Sequence, residues 1–412
     1  MKNILLISYL YPPTTSSQAE HVKNLGNYLS DYYNVSILTT SWIGKVKDIN
    51  LNEKLTVHNT SFGLLHRIKN NDVRIYNTKR KKGIKSKVVA YIKGRMIPDP
   101  TFDWYFVARR WLKKNVGKYD VIISIATPYT DLLIGNKFLK MHRNLQKPKF
   151  IACYADPWYG EISRKRSHMR KYVEKKIENS ILKNVDHILM VTKNAKEYYE
   201  KIFPQYSRKM NYYYIGHNVN FSKLKSNSCT DIITFRYFGA LQSVHRNPFI
   251  FLDAIDNKEF INKITLELYL IPDPSHEKIY ERVEKSETLK KIVKIKIPVP
   301  YAKMLEIASS KGINILFGNT SNLQIPVKMF DYIGVKSEIL YIENKVNEEI
   351  TNILNAYKTC TICDNTFDSI DNAIHTIVAN YYNKNTTRPS EEVYYKTCSN
   401  TNFNIYKELI DN

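Results

Sequence analysis

Cysteine, long apolar runs and glycine are all scarce in this chain. Five cysteines occur in 412 residues, and such an odd, sparse set argues against a disulfide framework and for a reducing compartment. No run of apolar residues approaches the roughly 18 that a membrane-spanning helix needs. These shortages argue against a disulfide-stabilised secreted domain and against a membrane-spanning chain, so we expect a cytosolic protein.

The 13 glycines also lack the spacing of two common phosphate-binding loops. No two of them are separated by a single residue, so the G-x-G-x-x-G loop of dinucleotide-binding oxidoreductases is missing. No glycine precedes Lys-Ser or Lys-Thr, as the P-loop requires. Cys360 and Cys363 form a CxxC pair, but they have no second pair and no nearby histidine pair. We therefore predict two thiols on a β-strand rather than a metal or redox site.

The N-terminal stretch has the pattern of folded protein. A short apolar run over 4–10 is followed by Ser17 and Glu20, which match the capping box of a helix start. The β-branched run 34–40 comes next and predicts a strand. Strand, loop, helix and strand in this order predict a βαβ unit whose parallel sheet is buried on both faces. We therefore expect the fold to begin at residue 1, rather than a signal peptide there.

Strand and helix patterns alternate along the whole chain, and 43% of its residues are hydrophobic. Two such series predict an α/β protein with two doubly wound, Rossmann-like domains that face each other across a cleft. We place these domains at 1–210 and 211–388, and expect 389–412 to form a final helix that returns to the first domain. In the second series we predict strands at 212–217, 232–238, 264–270, 293–297, 313–317 and 338–342, and a helix over 324–333.

Positive charge is concentrated in the first half of the chain, whose total net charge is +23. Residues 1–200 hold 36 Lys and Arg against 16 Asp and Glu, or +20, and residues 201–412 hold 26 against 23, or +3. The densest stretches are 66–95 and 163–176. This asymmetry indicates a surface for nucleic acid or for an acidic membrane leaflet, or else a solvated basic loop without a partner.

Four sequence landmarks, taken in order, resemble GT-B glycosyltransferases of the family 4 type (group 1), in particular members that build polysaccharides. They are ILLISYLYPP...QAEHVKNLGNYLSDYYNVSILTT; IACYADPW; SILKNVDHILMVT followed by IGHNVN; and the pair FRYFGALQSVHRNP and QIPVKMFDYIGVKSEIL. They are spread over most of the chain. The resemblance implies a nucleotide-sugar donor held by the second domain, retention of configuration at the anomeric carbon, and no bound metal.

The resemblance also assigns residues of the second domain to the donor. Arg246 and Lys328 would neutralise the donor diphosphate, where fixed cations lower the barrier to breaking the sugar–phosphate bond. Asp331 would accept hydrogen bonds from the ribose hydroxyls. Gly239 would let the chain turn closely beside the ligand, and Pro326 would belong to the same site. The structural alternatives are surface cations near helix starts for Arg246 and Lys328, a favourable interaction with the helix dipole for Asp331, and a simple turn for Gly239.

In the first domain the resemblance points to Asp156, which ends a predicted strand two residues before Trp158. This carboxylate would orient or deprotonate the acceptor, with the indole beside it; an Asp-Pro turn is the structural alternative. Ser16 and Ser17 would hold an anion at a helix N-terminus, and one of them would also cap that helix. The loop before this helix lacks the family's glycines, and the first of the family's paired glutamates falls on Leu323.

The expected function is a cytoplasmic, peripheral-membrane hexosyltransferase of bacterial surface-polysaccharide biosynthesis (capsule, O-antigen or exopolysaccharide). Its substrates would be a nucleotide-sugar and a glycan carried on a polyprenyl diphosphate, with no cofactor and no nucleic-acid partner. The residues expected to face an anionic membrane or the acceptor are Lys79, Arg80, Lys81, Lys82, Arg164, Lys165 and Arg166. Two alternatives remain open: a nucleotide-sugar epimerase or hydrolase of the same fold, and a nucleic-acid-binding protein whose 31 tyrosines stack on bases.

Overall fold

A computed structural model of the chain describes residues 1–14, 16–40, 48–65, 84–159, 166–224, 231–241, 246–270, 276–383 and 387–412. The chain divides into two compact units. The first unit combines Met1–Tyr214 with Phe403–Asn412, and the second unit is the continuous segment Ile215–Asn402. The first unit is therefore built from two separate stretches of sequence.

A largely parallel sheet organises the first unit. Its strands are β1 (Asn3–Ile7), β2 (Asn34–Thr40), β3 (Ile49–Asn52), β4 (Leu55–Thr60), β5 (Val121–Ala126), β6 (Lys149–Tyr154), β7 (His187–Met190) and β8 (Met210–Tyr212). Their order is β3-β4-β2-β1-β5-β6-β7-β8, and among the described strands only β3 and β4 pair antiparallel. The helices are α1 (Ser17–Ser30), α2 (Ile84–Arg95), α3 (Trp104–Lys113), α4 (Thr130–Met141), α5 (His168–Leu182) and α6 (Lys193–Ile202).

The central strands of this sheet are buried on both faces because aliphatic residues fill them without a polar alternation. Every residue of β5 is buried, and Ile4 of β1 lies between Val35 of β2 and Val121 of β5. Helix α4 packs very closely on this sheet: a Cβ added at Gly135 would lie 2.2 Å from the Ser124 hydroxyl. The close packing leaves no room for a side chain at Gly135.

The second unit has a six-stranded sheet in which every pairing is parallel. The strands are β9 (Ile233–Gly239), β10 (Ile264–Leu270), β11 (Val293–Lys296), β12 (Ile313–Phe317), β13 (Glu338–Glu343) and β14 (Cys360–Asp364), in the order β11-β10-β9-β12-β13-β14. The helices are α7 (Phe249–Ile255), α8 (Glu277–Glu284), α9 (Glu287–Ile292), α10 (Tyr301–Ser309), α11 (Lys328–Gly334), α12 (Glu348–Tyr357), α13 (Phe367–Tyr382) and α14 (Glu391–Lys396). Helix α15 (Ser399–Asp411) begins in this unit and continues into the first.

A buried polar cluster attaches the C-terminal segment to the first unit. The Tyr406 hydroxyl lies 2.9 Å from the Tyr213 hydroxyl and 3.2 Å from the Cys153 sulfur, and the Tyr213 hydroxyl lies 2.9 Å from Nε2 of His21. Burial lowers the pKa of His21 to about 4 and raises the pKa of Cys153 to about 11. These groups are therefore neutral at neutral pH and hold the last residues of the chain against α1 and β6.

The prediction of an α/β protein with two Rossmann-like domains is confirmed, and both thiols of the CxxC pair lie on β14. The strand predicted at 212–217 is wrong. Strand β8 ends at Tyr212 and pairs with β7 in the first unit, and Gly216 at φ +68° interrupts the extended chain. The single final helix is also wrong, because the backbone around Cys398 pairs with His217 and separates α14 from α15.

Within the ranges given above, no helix is both long enough and apolar enough to cross a membrane.

Candidate active site

Gly239 occupies the carboxyl end of β9, at the sheet edge where ligands bind in doubly wound folds. Its φ of +124° lies in a region that side-chain-bearing residues rarely adopt. A Cβ added there would lie 3.3 Å from Cε of Lys328. The absence of a side chain therefore leaves room for the Lys328 amine to extend over the end of the strand.

Arg246 is held at the same edge by side chains from two neighbouring strands. Its Nε donates to Oδ1 of Asn319 at 3.2 Å, and Asn319 follows β12, which pairs with β9. Its Nη1 lies 3.5 Å from the Tyr237 hydroxyl, which in turn donates to the carbonyl of Ala240. These contacts orient the half-buried guanidinium and use only some of its five N–H donors, so the others can bind a ligand.

Lys328 is the first residue of α11 and is half-buried. Burial lowers the pKa of its amine, and the nearby guanidinium of Arg246 lowers it further, whereas Asp331 opposes both effects. Among the residues that the structure describes, neither Lys328 nor Arg246 forms a salt bridge. Two cations are therefore held at this edge of the sheet, and Asp331 lies near enough to favour the charged amine of Lys328 without forming a salt bridge with it.

Asp331 lies one turn further along α11 and is buried. Its Oδ1 accepts a hydrogen bond from the Tyr301 hydroxyl at 2.6 Å, and burial raises the pKa of its carboxyl. Pro326 is also buried, and its carbonyl accepts from the N–H of Met329 in the turn that starts α11. The structure therefore places Gly239, Arg246, Pro326, Lys328 and Asp331 around the carboxyl edge of one sheet.

Asp156 of the first unit follows β6 by two residues. Its Oδ2 accepts from the Thr127 hydroxyl at 3.0 Å, and Thr127 directly follows the neighbouring strand β5. The expectation of an accessible indole beside it is wrong: Trp158 is fully buried and stacks on Tyr129, with ring centroids 5.0 Å apart. Asp156 therefore remains at the strand end as a partly exposed carboxylate, whereas Trp158 belongs to the core.

Ser16, not Ser17, caps α1. The Ser16 hydroxyl accepts from the N–H of Ala19 at 3.1 Å, and Glu20 forms a salt bridge with Lys23 instead of completing the predicted capping box. Ser17 is the first helical residue, and its side chain is exposed. One of the two proposed anion-binding hydroxyls is thus occupied by capping.

Most of the basic residues assigned to a membrane-facing surface (Lys79, Arg80, Lys81, Lys82, Arg164 and Lys165) lie outside the described residues. For Arg166 the expectation is wrong. Its side chain is only 5% exposed, and Nη1 bonds to Glu174 at 2.9 Å and to the carbonyl of Trp158 at 3.0 Å. Arg166 therefore compensates a buried carboxylate rather than forming part of an exposed basic face.

No protein-family model and no curated protein matches the chain, but solved structures do. Sucrose-phosphate synthase from Thermosynechococcus elongatus has a TM-score of 0.64 and 15% identity, over 100% of this chain and 95% of that one. Anabaena HepE in complex with UDP and glucose has a TM-score of 0.64 and 9% identity, over 100% of both. WaaG, a glycosyltransferase involved in lipopolysaccharide biosynthesis, has a TM-score of 0.58 and 9% identity, over 98% of this chain and 95% of that one. The chain has the GT-B glycosyltransferase fold. At these identities the likeness is one of fold alone.

Several polar residues of this GT-B chain were not identified from its sequence. Asn319 orients Arg246, and Tyr237 lies beside the same guanidinium. The Tyr301 hydroxyl donates a hydrogen bond to the Asp331 carboxylate. Asn319 follows a buried strand directly after a glycine, which is the signal that could have identified it. Tyr237 and Tyr301 carry no such signal, because the direction of their hydroxyls depends on packing across the sheet.

The described parts of this GT-B chain contain no group of three or more His, Cys, Asp and Glu side chains that could hold a metal ion.

Proposed function

We propose that this chain is a glycosyltransferase that moves a sugar, specifically a hexose, from a nucleotide-sugar donor to a glycan or lipid-linked acceptor. The observation that carries the proposal is the pair of half-buried cations, Arg246 and Lys328, gathered beside Gly239 at the carboxyl edge of a parallel sheet. Cations at such a position that form no salt bridge with a described carboxylate are suited to an anionic ligand. The GT-B fold makes a nucleotide diphosphate the best candidate for that anion.

The two cations would act on the leaving group. When the bond between the anomeric carbon and the phosphate oxygen breaks, its electron pair stays on that oxygen as negative charge. Arg246 and Lys328 would stabilise this charge, and one well-placed donor of this kind lowers a barrier by about 3 kcal/mol. Asp331 would bind the ribose once the Tyr301 hydroxyl has moved from its carboxylate, so nucleotide binding would exchange one hydroxyl partner for another.

Asp156 would serve the acceptor. The new bond joins the anomeric carbon to an acceptor hydroxyl oxygen, whose proton must leave. A carboxylate at a strand end is suited to orient that hydroxyl or to accept its proton. We propose retention of configuration at the anomeric carbon, and catalysis by fixed cations without a metal ion.

We further propose a cytoplasmic enzyme at the inner face of a bacterial membrane, acting on a polyprenyl-diphosphate-linked glycan in surface-polysaccharide biosynthesis. The net charge of +20 over residues 1–200 supports an anionic surface as a partner. WaaG, which acts in lipopolysaccharide biosynthesis, has a similar fold and is a precedent for this role.

A thermal-shift screen of UDP-, GDP-, dTDP- and ADP-sugars tests the donor. We expect one nucleotide series to raise the melting temperature of the wild type, and Arg246→Ala or Lys328→Ala to abolish that increase. Lys303→Ala is the matched control, because Lys303 lies on α10 of the same unit and pairs with Glu306 on the surface. Equal shifts in the wild type and all three variants would show that Arg246 and Lys328 do not bind the donor.

Turnover tests the remainder of the proposal. Release of nucleoside diphosphate should require a polyprenyl-diphosphate-linked acceptor, persist in EDTA, and yield a product whose anomeric configuration by NMR matches that of the donor. Release that needs no acceptor would instead indicate a hydrolase.

A further inference from the structure

Two surface helices of the first unit carry exposed apolar side chains at helical spacing. On α2 they are Val88, Tyr91 and Ile92, which are 52%, 61% and 43% exposed. On α5 they are Met169, Tyr172 and Val173, which are 78%, 60% and 36% exposed. Each set occupies positions i, i+3 and i+4, so it lies on one face of its helix. We refer to these six side chains as the apolar stripes.

Each stripe continues into a basic residue that lies over its tyrosine. The guanidinium of Arg95 is 3.4 Å from the ring centroid of Tyr91, and the amine of Lys176 is 4.5 Å from that of Tyr172. In both helices the cation follows the tyrosine by four residues. The same motif, an exposed ring with a cation on its face, therefore occurs once on each helix.

Negative charge is excluded from the outward faces of both helices. The sequence of α2 contains no acidic residue. Helix α5 contains two, and both are buried: Glu174 pairs with Arg166 and Arg170, and Glu178 accepts from the Tyr199 hydroxyl. The outward residues of α5 include Lys171 and Lys176 beside its stripe. The two faces therefore combine apolar and cationic side chains.

The stripes belong to neighbouring parts of the surface because one arginine joins their helices. Arg170, in the first turn of α5, donates to the carbonyl of Gly94 at 3.0 Å and to that of Met96 at 2.7 Å. These carbonyls lie at the C-terminal end of α2, close to Tyr91 and Ile92. These two hydrogen bonds connect the start of one stripe to the end of the other.

We propose that the apolar stripes of α2 and α5 form a surface that docks on an anionic lipid bilayer. Aromatic and aliphatic side chains would enter the headgroup region, while Arg95 and Lys176 would remain at the level of the lipid phosphates. A purely apolar patch would suit a second copy of the chain, and a purely cationic one would suit RNA. The mixture of both, without acidic residues, matches a membrane interface best. This inference rests on the part of the proposed function that places the enzyme at an anionic membrane, and it adds which surface of the first unit meets the lipids.

Co-sedimentation with vesicles tests this surface. We expect the wild type to bind vesicles of equal parts phosphatidylglycerol and phosphatidylcholine, and to bind phosphatidylcholine alone much more weakly. The double variant Tyr91→Ser/Tyr172→Ser should bind the anionic vesicles at least ~10-fold more weakly, since each ring loses its place in the interface. Tyr395→Ser is the matched control, because Tyr395 is 64% exposed on α14 of the second unit; it should bind as the wild type does.

The substituted positions are exposed, so the variants should melt at the wild-type temperature. Met169→Ser gives a second, independent test of the α5 stripe. The proposal would be overturned if the double variant and the wild type bound anionic vesicles equally, or if the wild type did not bind them. A mobility shift with RNA, or a dimer in sedimentation equilibrium, would overturn it in favour of those partners if the double variant abolished either one without affecting vesicle binding.

Nucleotide binding separates this inference from the proposed function. The double variant should keep the wild-type thermal shift with nucleotide-sugars, because the stripes lie in the first unit and the donor site in the second. Vesicle binding by the wild type is measured without any nucleotide, so a failure of the donor proposal leaves the membrane result interpretable.

Discussion

Replacing Lys328 with methionine should change stability and ligand binding in opposite directions. The amine is half-buried, its pKa is lowered by burial and by Arg246, and it has no salt-bridge partner among the described residues. Methionine keeps most of the length of the side chain and removes the charge. Removing the desolvation cost of the amine should outweigh the lost attraction between Lys328 and Asp331. The second unit should therefore be stabilised by about 1 kcal/mol, which corresponds to about 2–4 °C in melting temperature for a unit of this size.

The same substitution should weaken binding of uridine diphosphate. A hydrogen bond to a charged group contributes roughly 1.5–3 kcal/mol, so we expect the Kd to rise about 10- to 150-fold. Binding of an anion raises the pKa of the amine, and the wild-type affinity should therefore decline as pH rises through the pKa of Lys328 in the free protein. Lys328→Met should lack this pH dependence.

Isothermal titration with uridine diphosphate, or with the diphosphate selected by the thermal-shift screen, measures both effects beside a melting curve. Lys303→Met is the control, since Lys303 is 57% exposed and should change neither property. Unchanged affinity in Lys328→Met, or a lower melting temperature together with unchanged affinity, would refute a role for this residue in holding a diphosphate.

Four further predictions concern single residues. Gly239→Ala should weaken diphosphate binding ~10-fold in the same titration, because the backbone there has φ +124° and the added Cβ would press on the Lys328 side chain; Gly94→Ala, with nothing within 4 Å of the added Cβ, should not. Asn319→Ala should weaken diphosphate binding about 3- to 10-fold by releasing Arg246, while the pH dependence assigned to Lys328 persists. Gly135→Ala should destabilise the first unit by roughly 1–3 kcal/mol in urea unfolding, because its Cβ would overlap the Ser124 hydroxyl. Folding lowers the pKa of His21 from 6.5 to about 4, so the stability linked to this residue is complete above pH 6.5 and is lost as pH falls towards 4, on the order of 3 kcal/mol in total; urea unfolding across this range should show a flatter acid limb in His21→Gln.

The strands that could be predicted from the sequence are those whose local pattern of apolar residues already indicates a strand. Strands β10 and β12 are predicted with their observed bounds because both are short and rich in Ile, Leu and aromatic residues: β10 alternates apolar residues with Thr265 and Glu267, and β12 is apolar except for Asn314. Strands β3 and β4 carry no prediction, since every residue of β3 is exposed and β4 alternates polar with apolar residues over only six positions. Their place in the sheet depends on pairing with β2, which local pattern does not reveal.

Side-chain partners explain what could not be predicted at the candidate site. Arg246 and Lys328 are identified through the family resemblance of the two stretches that contain them, FRYFGALQSVHRNP and QIPVKMFDYIGVKSEIL. Tyr301 lies 30 positions before Asp331, and their hydrogen bond depends on how α10 packs beside α11. Arg166 lies in a basic stretch of the sequence, yet its side chain is buried because it forms a salt bridge with Glu174 of α5. Charge density alone does not show which cations have such a partner.

The chain order of the two units has a consequence for biosynthesis. Residues 215–402 are contiguous, whereas the first unit needs Phe403–Asn412 to complete it. During translation the ribosome releases all of the second unit before the stretch that carries Tyr406. Until Phe403–Asn412 follow, a nascent first unit lacks the contacts of Tyr406 with Cys153 and Tyr213. A chain stalled near residue 402 would therefore leave these groups accessible to chaperones and proteases.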